Sequence, residues 1–122
     1  MHELSIAQAL VEQVEAAAAN EHALRVVRVV ITVGALSGVD PEALRSLFPL
    51  VAEGTVTADA ELAVEQVAAR VRCRACGFES PVEEYFIGCS TCDSKDVELV
   101  AGRELNITSI ELEVDERQER YV

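Results

Sequence analysis

Two cysteine pairs, in the segment "CRACGFESPVEEYFIGCSTC", constrain this chain more than any other feature. Cys73 and Cys76 form one Cys-x-x-Cys pair and Cys89 and Cys92 the other, twelve residues apart, and these are all four cysteines of the 122-residue chain. Each pair presents two thiolates to one ion from a tight turn, and two such knuckles facing each other complete a tetrahedron. Gly77 and Gly88 are read as the open backbone of those turns, with Phe78, Tyr85, Phe86 and Ile87 as the lobe's apolar side chains. Those side chains are too few for a core. A structural Zn(II) would therefore have to contribute on the order of 10 kcal/mol of folding free energy. Four thiolates leave no open position for a substrate, so zinc here would be structural. Iron in a rubredoxin-like redox site is one rival. A nucleic-acid zinc ribbon is another, with Arg70, Arg72, Arg74, Lys95 and Arg103 as its basic face.

Charge argues against the nucleic-acid reading. The formal net charge is −12, with three basic and ten acidic groups in residues 1–69, two and six in 104–122, and a near balance of five and six in 70–103. Such a surface repels phosphate backbones and anionic membranes and favours cations or a basic protein partner. "RVVRVVITVG" is too short and too charged to span a bilayer. The amino terminus lacks the basic start and continuous apolar run of a signal peptide. A cytoplasmic location is expected, with the cysteines reduced and committed to metal. No glycine-rich phosphate loop or nucleophile motif appears, so the expectation is a binding protein and not an enzyme.

Around the lobe the pattern is helix, strand, helix, strand, cysteine segment, strand. Leu4, Ala7, Leu10, Val11, Val14, Ala17 and Ala18 share one helical face, and the Ser5 to Gln8 spacing of a capping box predicts a start just after Glu3. Leu24 to Val33 reads as a strand covered on both sides. In "DPEALRSLFPLVAEG", Asp40 stands at a cap position before Pro41, Ala43, Leu44, Leu47, Phe48 and Val51 form the buried stripe, and Pro49 is expected to kink or shorten the helix. Glu61 to Val71 reads as a second strand with a bulge near Gln66 to Ala69, and residues 104–114 as a third with a phase change near Ser109. The tail "DERQERYV" is expected to fray. The fold class is thus α+β: two helices packed on a three-stranded sheet, with an inserted zinc-ribbon-like domain built on the four cysteines. The expected division is 1–71 with 103–122 as one discontinuous domain and 72–102 as the metal domain.

The first three residues, Met1, His2 and Glu3, carry a separate chemistry. The α-amine, the backbone nitrogen of residue 2 and the His2 imidazole can form two fused chelate rings, with Glu3 as a further donor. That set of nitrogen and oxygen donors suits Ni(II) or Cu(II). A solvated terminal histidine is the plainer account. His22 is placed in the turn after the first helix.

"MHELSIAQAL", "VGALSGVDPEAL", the two knuckles and "GRELNITSIELE" together resemble the HypA/HybF family of hydrogenase maturation nickel metallochaperones, in the right order and over nearly the whole chain. The resemblance implies that Met1, His2 and Glu3 form the Ni(II) site, with Asp40 near it as a ligand or a neighbouring partner. It implies that Cys73, Cys76, Cys89 and Cys92 bind Zn(II). The nickel would be transferred cargo. Implied partners are a nickel-binding maturation GTPase, the large subunit of NiFe hydrogenase and, for some members, urease maturation proteins, with no nucleic acid or membrane. The alternative is a zinc-ribbon adaptor with no nickel role. Family members often carry Glu where this chain has Ala35, and Pro49 is a second departure. No histidine flanks the knuckles, so zinc-site switching through such histidines is not open to this chain.

Overall fold

The computed structural model describes residues 2–82 and 88–115, with the side chain of His2 outside the description. In chain order the elements are α1 (His2–Asn20), β1 (Ala23–Gly34), α2 (Pro41–Ala52), β2 (Glu61–Val67), β3 (Arg70–Cys73), β4 (Glu79–Pro81), β5 (Val97–Ala101) and β6 (Leu105–Val114). They form two three-stranded sheets, ordered β2-β1-β6 and β4-β3-β5. The α+β class with a small cysteine-bearing sheet agrees with expectation. By contacts the chain divides into two units, Met1–Ile31 with Val39–Glu65 and Ile107–Val122, and Thr32–Gly38 with Gln66–Asn106.

In the first unit α1 packs against α2. Ala7, Leu10, Val11, Val14 and Ala18 are buried on α1, and Leu44, Phe48 and Ala52 on α2, the i, i+3, i+4 stripes that an amphipathic helix turns inward. Val26, Val29 and Ile31 of β1 are fully buried, whereas Val27 and Val30 are only half-buried. β1 is the central strand of its sheet; Val29, Ile31 and Val33 alternate on one buried face, and Val26 is buried out of that phase. Arg25 pairs with Glu113, and Thr108 Oγ1 donates to the Val30 carbonyl, so β6 runs antiparallel to β1. β2 returns through the α2 crossover; Glu61 meets Arg28, and Val67 accepts from Ala35 further on, the progression of a parallel pair.

Three expectations change. α1 begins at His2, so Ser5 and Gln8 lie within the helix and His2 and Glu3 are in its first turn. Glu3 there favours the positive helix end, and its carboxylate has an outside donor, which a start after Glu3 would not use. α2 is not cut short at Pro49 but continues to Ala52, because the exposed ring loses only one hydrogen bond close to the helix end. The stretch read as one strand from Glu61 to Val71 is two strands in different sheets, broken at Ala68 and Ala69. The break lies where Gly102 approaches: a Cβ on Gly102 would stand 2.8 Å from the Ala69 Cα. The expected phase change in β6 is present, with Ile107 and Ile110 half-buried around exposed Thr108 and Ser109. Residues 116–122 of the tail lie outside the described residues.

No described helix is long and apolar enough to cross a membrane.

Candidate metal centre

In the second unit β3 is the middle strand. It pairs antiparallel with β4 through Val71 and Ser80, and with β5 through Val71 and Leu99. Cys73 ends β3 and is buried, as is Cys89, while Cys76 and Cys92 are exposed.

The two knuckles repeat one backbone design. Gly77 N–H donates to the Cys73 carbonyl at 2.8 Å and Cys73 N–H to the Phe78 carbonyl at 2.9 Å; Asp93 N–H donates to the Cys89 carbonyl at 3.0 Å and Cys89 N–H to the Ser94 carbonyl at 2.8 Å. Each turn closes on a residue in the left-handed region, Gly77 at φ 79° and Asp93 at φ 59°. The second knuckle therefore takes its left-handed residue from Asp93, which sequence reasoning had not singled out. Asp is among the few side chains that enter this region at modest cost, and its position four residues after Cys89, matching Gly77 after Cys73, was the available signal. Phe78 is 48 % exposed and does not fill the lobe. Tyr85, Phe86 and Ile87 lie outside the described residues.

The four Sγ atoms lie within 4.8 Å of one another. Cys73 to Cys92 and Cys76 to Cys89 are each 3.6 Å. A tetrahedral tetrathiolate with bonds of about 2.3 Å spaces its sulfurs by about 3.8 Å, so the donor set fits one zinc-sized ion with small adjustments. Backbone amides already solvate the inner sulfurs: Cys76 N–H points to Cys73 Sγ, and Thr91 and Cys92 N–H point to Cys89 Sγ, each at 3.4 Å. The Cys76 amide foremost holds Cys73 down to about 6, and the Cys92 amide foremost lowers Cys89. Cys92 receives the Ser94 amide, which lowers it, but the surrounding thiols, Cys73 first, push it up to about 12; Cys76 is likewise raised, by Cys89 and Cys73 against the Phe78 amide. A crowded set thus divides into two readily ionised thiols and two that keep their protons until a cation arrives.

Two of the five residues of the basic face considered for nucleic acid are ion-paired within the chain. Arg72 lies between Glu79 and Glu98, at 3.3 and 3.4 Å, and Arg74 meets Asp96 at 3.0 Å.

In the first unit the structure brings together two of the residues expected near nickel. Asp40 caps α2, its Oδ1 accepting from Glu42 N–H at 3.0 Å, while its own N–H donates to Glu3 Oε2 at 3.1 Å. The Asp40 amide foremost, with the amide of Glu3 itself, lowers the Glu3 carboxyl and keeps it ionised at neutral pH. Met1 and the His2 side chain lie outside the described residues. His22 is in the turn after α1, at φ 53°, about 28 Å along the 19-residue helix from the Glu3 end.

Comparison with known proteins decides the family. The family described as "Hydrogenase/urease nickel incorporation, metallochaperone, hypA" matches residues 1–112. The chain belongs to this family. It is 43 % identical over 113 residues to the hydrogenase maturation factor HypA of Chlorobium limicola, covering 93 % of this chain and 97 % of that one. It is 40 % identical over 115 residues to HypA of Aquifex aeolicus, covering 94 % and 100 %. Among solved structures, the Ni metallochaperone HypA from Helicobacter pylori in solution superposes with a TM-score of 0.66 at 26 % identity, covering 93 % of this chain and 98 % of that one. A second structure described as HypA protein in solution gives 0.72 at 28 %, covering 94 % and 98 %.

Proposed function

We propose that this chain is a cytoplasmic nickel metallochaperone that binds Ni(II) at its amino terminus and passes it on during maturation of NiFe hydrogenase. The observation that carries this reading is the family match over residues 1–112, which includes the amino terminus and all four cysteines. Met1 and His2 supply nitrogen donors. Glu3 supplies a carboxylate held by the Asp40 amide, so Asp40 acts first as a positioning residue and lies close enough to serve as a further ligand. Asp40 Oδ1 is already engaged by Glu42 N–H, which favours the positioning role.

Cys73, Cys76, Cys89 and Cys92 hold Zn(II) in this reading, and the ion stabilises the small sheet of β3, β4 and β5 without taking part in transfer. The functional division is close to a nickel domain of 1–71 with 103–122 and a zinc domain of 72–102, with all of β3, from Arg70, belonging to the zinc-bearing sheet. The partners are the nickel-binding maturation GTPase and the hydrogenase large subunit, with urease maturation proteins as further recipients. The chain carries out delivery and no bond-making chemistry of its own. The adaptor alternative loses its main support because Arg72 and Arg74 are ion-paired within the chain.

The test is complementation. In a host lacking the gene, wild type is expected to restore hydrogenase activity, and added nickel is expected to substitute for it in part. His2→Ala fails at low nickel. Full restoration by His2→Ala, with Arg72→Glu/Arg74→Glu failing instead, would transfer support to the adaptor.

A further inference from the structure

Each knuckle closes on its own backbone, and a second set of bonds holds one knuckle to the other. The β3–β5 ladder reaches the first knuckle at Cys73, which faces Val97, the first residue of β5. One backbone bond continues past it, from Arg74 N–H to the Asp96 carbonyl at 3.0 Å. The Arg74 side chain follows the same route: Nη1 donates to Asp96 Oδ1 at 3.0 Å and to the Val97 carbonyl at 3.1 Å. Arg74 stands between the two cysteines of the first knuckle, so three bonds run from inside that knuckle to Asp96 and Val97.

These two residues follow the second knuckle and are tied to it. Asp96 N–H donates to Ser94 Oγ at 3.1 Å, and the Ser94 carbonyl accepts from Cys89 N–H at 2.8 Å. A run of hydrogen bonds therefore leads from Arg74 through Asp96 and Ser94 to Cys89 without using any sulfur. Arg72, the neighbouring arginine on β3, does nothing comparable. Its partners Glu79 and Glu98 face it across the ladders, where backbone pairing already fixes the spacing, and at 3.3 and 3.4 Å its contacts are longer. Both members of the Arg74–Asp96 pair are more than half exposed, so as an ion pair alone it contributes little. Its weight comes from its place: a planar guanidinium that holds a carboxylate and a carbonyl at once fixes direction as well as distance.

We propose that Arg74 is a positioning residue of the metal centre: it joins the two Cys-x-x-Cys knuckles so that four thiols stand ready for one ion, and it thereby sets how tightly and how long that ion is held. The proposal rests on the reading that these cysteines bind Zn(II). Binding to a donor set already assembled avoids the ordering cost of bringing two independently moving knuckles together. Release requires the knuckles to part, and the clamp opposes that.

The test is competition for Zn(II) between the full-length protein and a chromophoric chelator, read as a dissociation constant and as a rate of zinc loss. Arg74→Ala should weaken binding about three- to tenfold, the effect of losing roughly one net hydrogen bond, and speed zinc loss by a similar factor. Arg74→Lys, which keeps the charge and one prong, should recover part of the loss. Asp96→Ala added to Arg74→Ala should weaken binding no further, since both remove the same clamp. Arg72→Ala, on the same sheet with two carboxylate partners of its own, should stay within about twofold. Co(II) in place of zinc should show the wild-type visible absorption in Arg74→Ala, as expected when the same four thiolates are ligands and only their positioning has changed. Wild-type affinity in Arg74→Ala, an equal loss in Arg72→Ala, or an altered Co(II) spectrum would overturn the proposal. Cys73→Ser separates the two readings. Wild-type zinc affinity in Cys73→Ser would overturn the four-cysteine reading and the clamp with it, whereas zinc loss there beside an unchanged Arg74→Ala would overturn the clamp alone.

Discussion

Gly34→Ala should be among the most damaging single-methyl changes in the protein. A Cβ at Gly34 would stand 2.2 Å from both the carbonyl carbon and oxygen of Gly102 and 2.6 Å from the Arg103 nitrogen. All three are backbone atoms, so no rotamer change relieves the overlap, and the two segments must separate by more than about 1 Å to reach ordinary contact. That movement strains two short hydrogen bonds, Gly34 N–H to the Glu104 carbonyl at 2.7 Å and Leu36 N–H to the Gly102 carbonyl at 2.6 Å. Losing them costs about 1 kcal/mol each. Overpacking adds about 1–3 kcal/mol. The smaller entropy of the unfolded chain returns about 0.4–1 kcal/mol, leaving a net loss of about 3 kcal/mol. With a urea slope of about 1.5 kcal/mol per molar, the unfolding midpoint of zinc-loaded protein should fall by about 2 M. Gly38→Ala is the control: it has φ +83° and no atom within 4 Å of its would-be Cβ, so it should cost only the left-handed strain of about 1–2 kcal/mol. A Gly34→Ala protein as stable as wild type would refute the close-approach argument.

Phe48 is fully buried on α2, and Phe48→Ala should cost about 3–5 kcal/mol by urea unfolding through the lost transfer energy and the cavity left behind. Asp40→Ala removes the α2 cap at a cost of about 1 kcal/mol; because its backbone N–H remains, the Glu3 carboxyl should stay low when titrated by NMR. Stability drawn from the lowered Glu3 carboxyl is present above the ordinary carboxylate range and is lost as pH falls through its folded value, so Glu3→Gln should flatten that acid limb. Zinc binding to apo protein at pH 7 should release at least about two protons, because Cys76 and Cys92, both raised by the thiols around them, must ionise to bind. Calorimetry in buffers of different ionisation heat reads that number directly.

Local signals were legible wherever chemistry and spacing coincide. Asp40 followed by Pro41 announced α2, and the Cys-x-x-Cys pairs announced a cluster that the structure closes to within 4.8 Å. The start of α1 was obscured because Ser5 and Gln8 imitate a cap, whereas the donor to Glu3 comes from Asp40, 37 residues away. The β2–β3 break showed in the sequence only as slipped alternation near Gln66 to Ala69, which reads as a bulge, because its cause, the approach of Gly102, lies far along the chain. Strands of three to five residues such as β4, β3 and β5 are too short to show a period, so the sheet that carries the cysteines was not visible as one. The pairing of Arg72 with Glu79 and Glu98 depends on register, which sequence does not reveal.

The central claim is nickel capture by the amino terminus, and calorimetric titration of untagged, zinc-loaded protein with Ni(II) tests it most directly, alongside His2→Ala and a variant with one residue added before Met1. About one nickel per chain with micromolar affinity, near −8 kcal/mol, lost in both variants, is the predicted result. Equal binding by all three proteins, or binding by none, would contradict it.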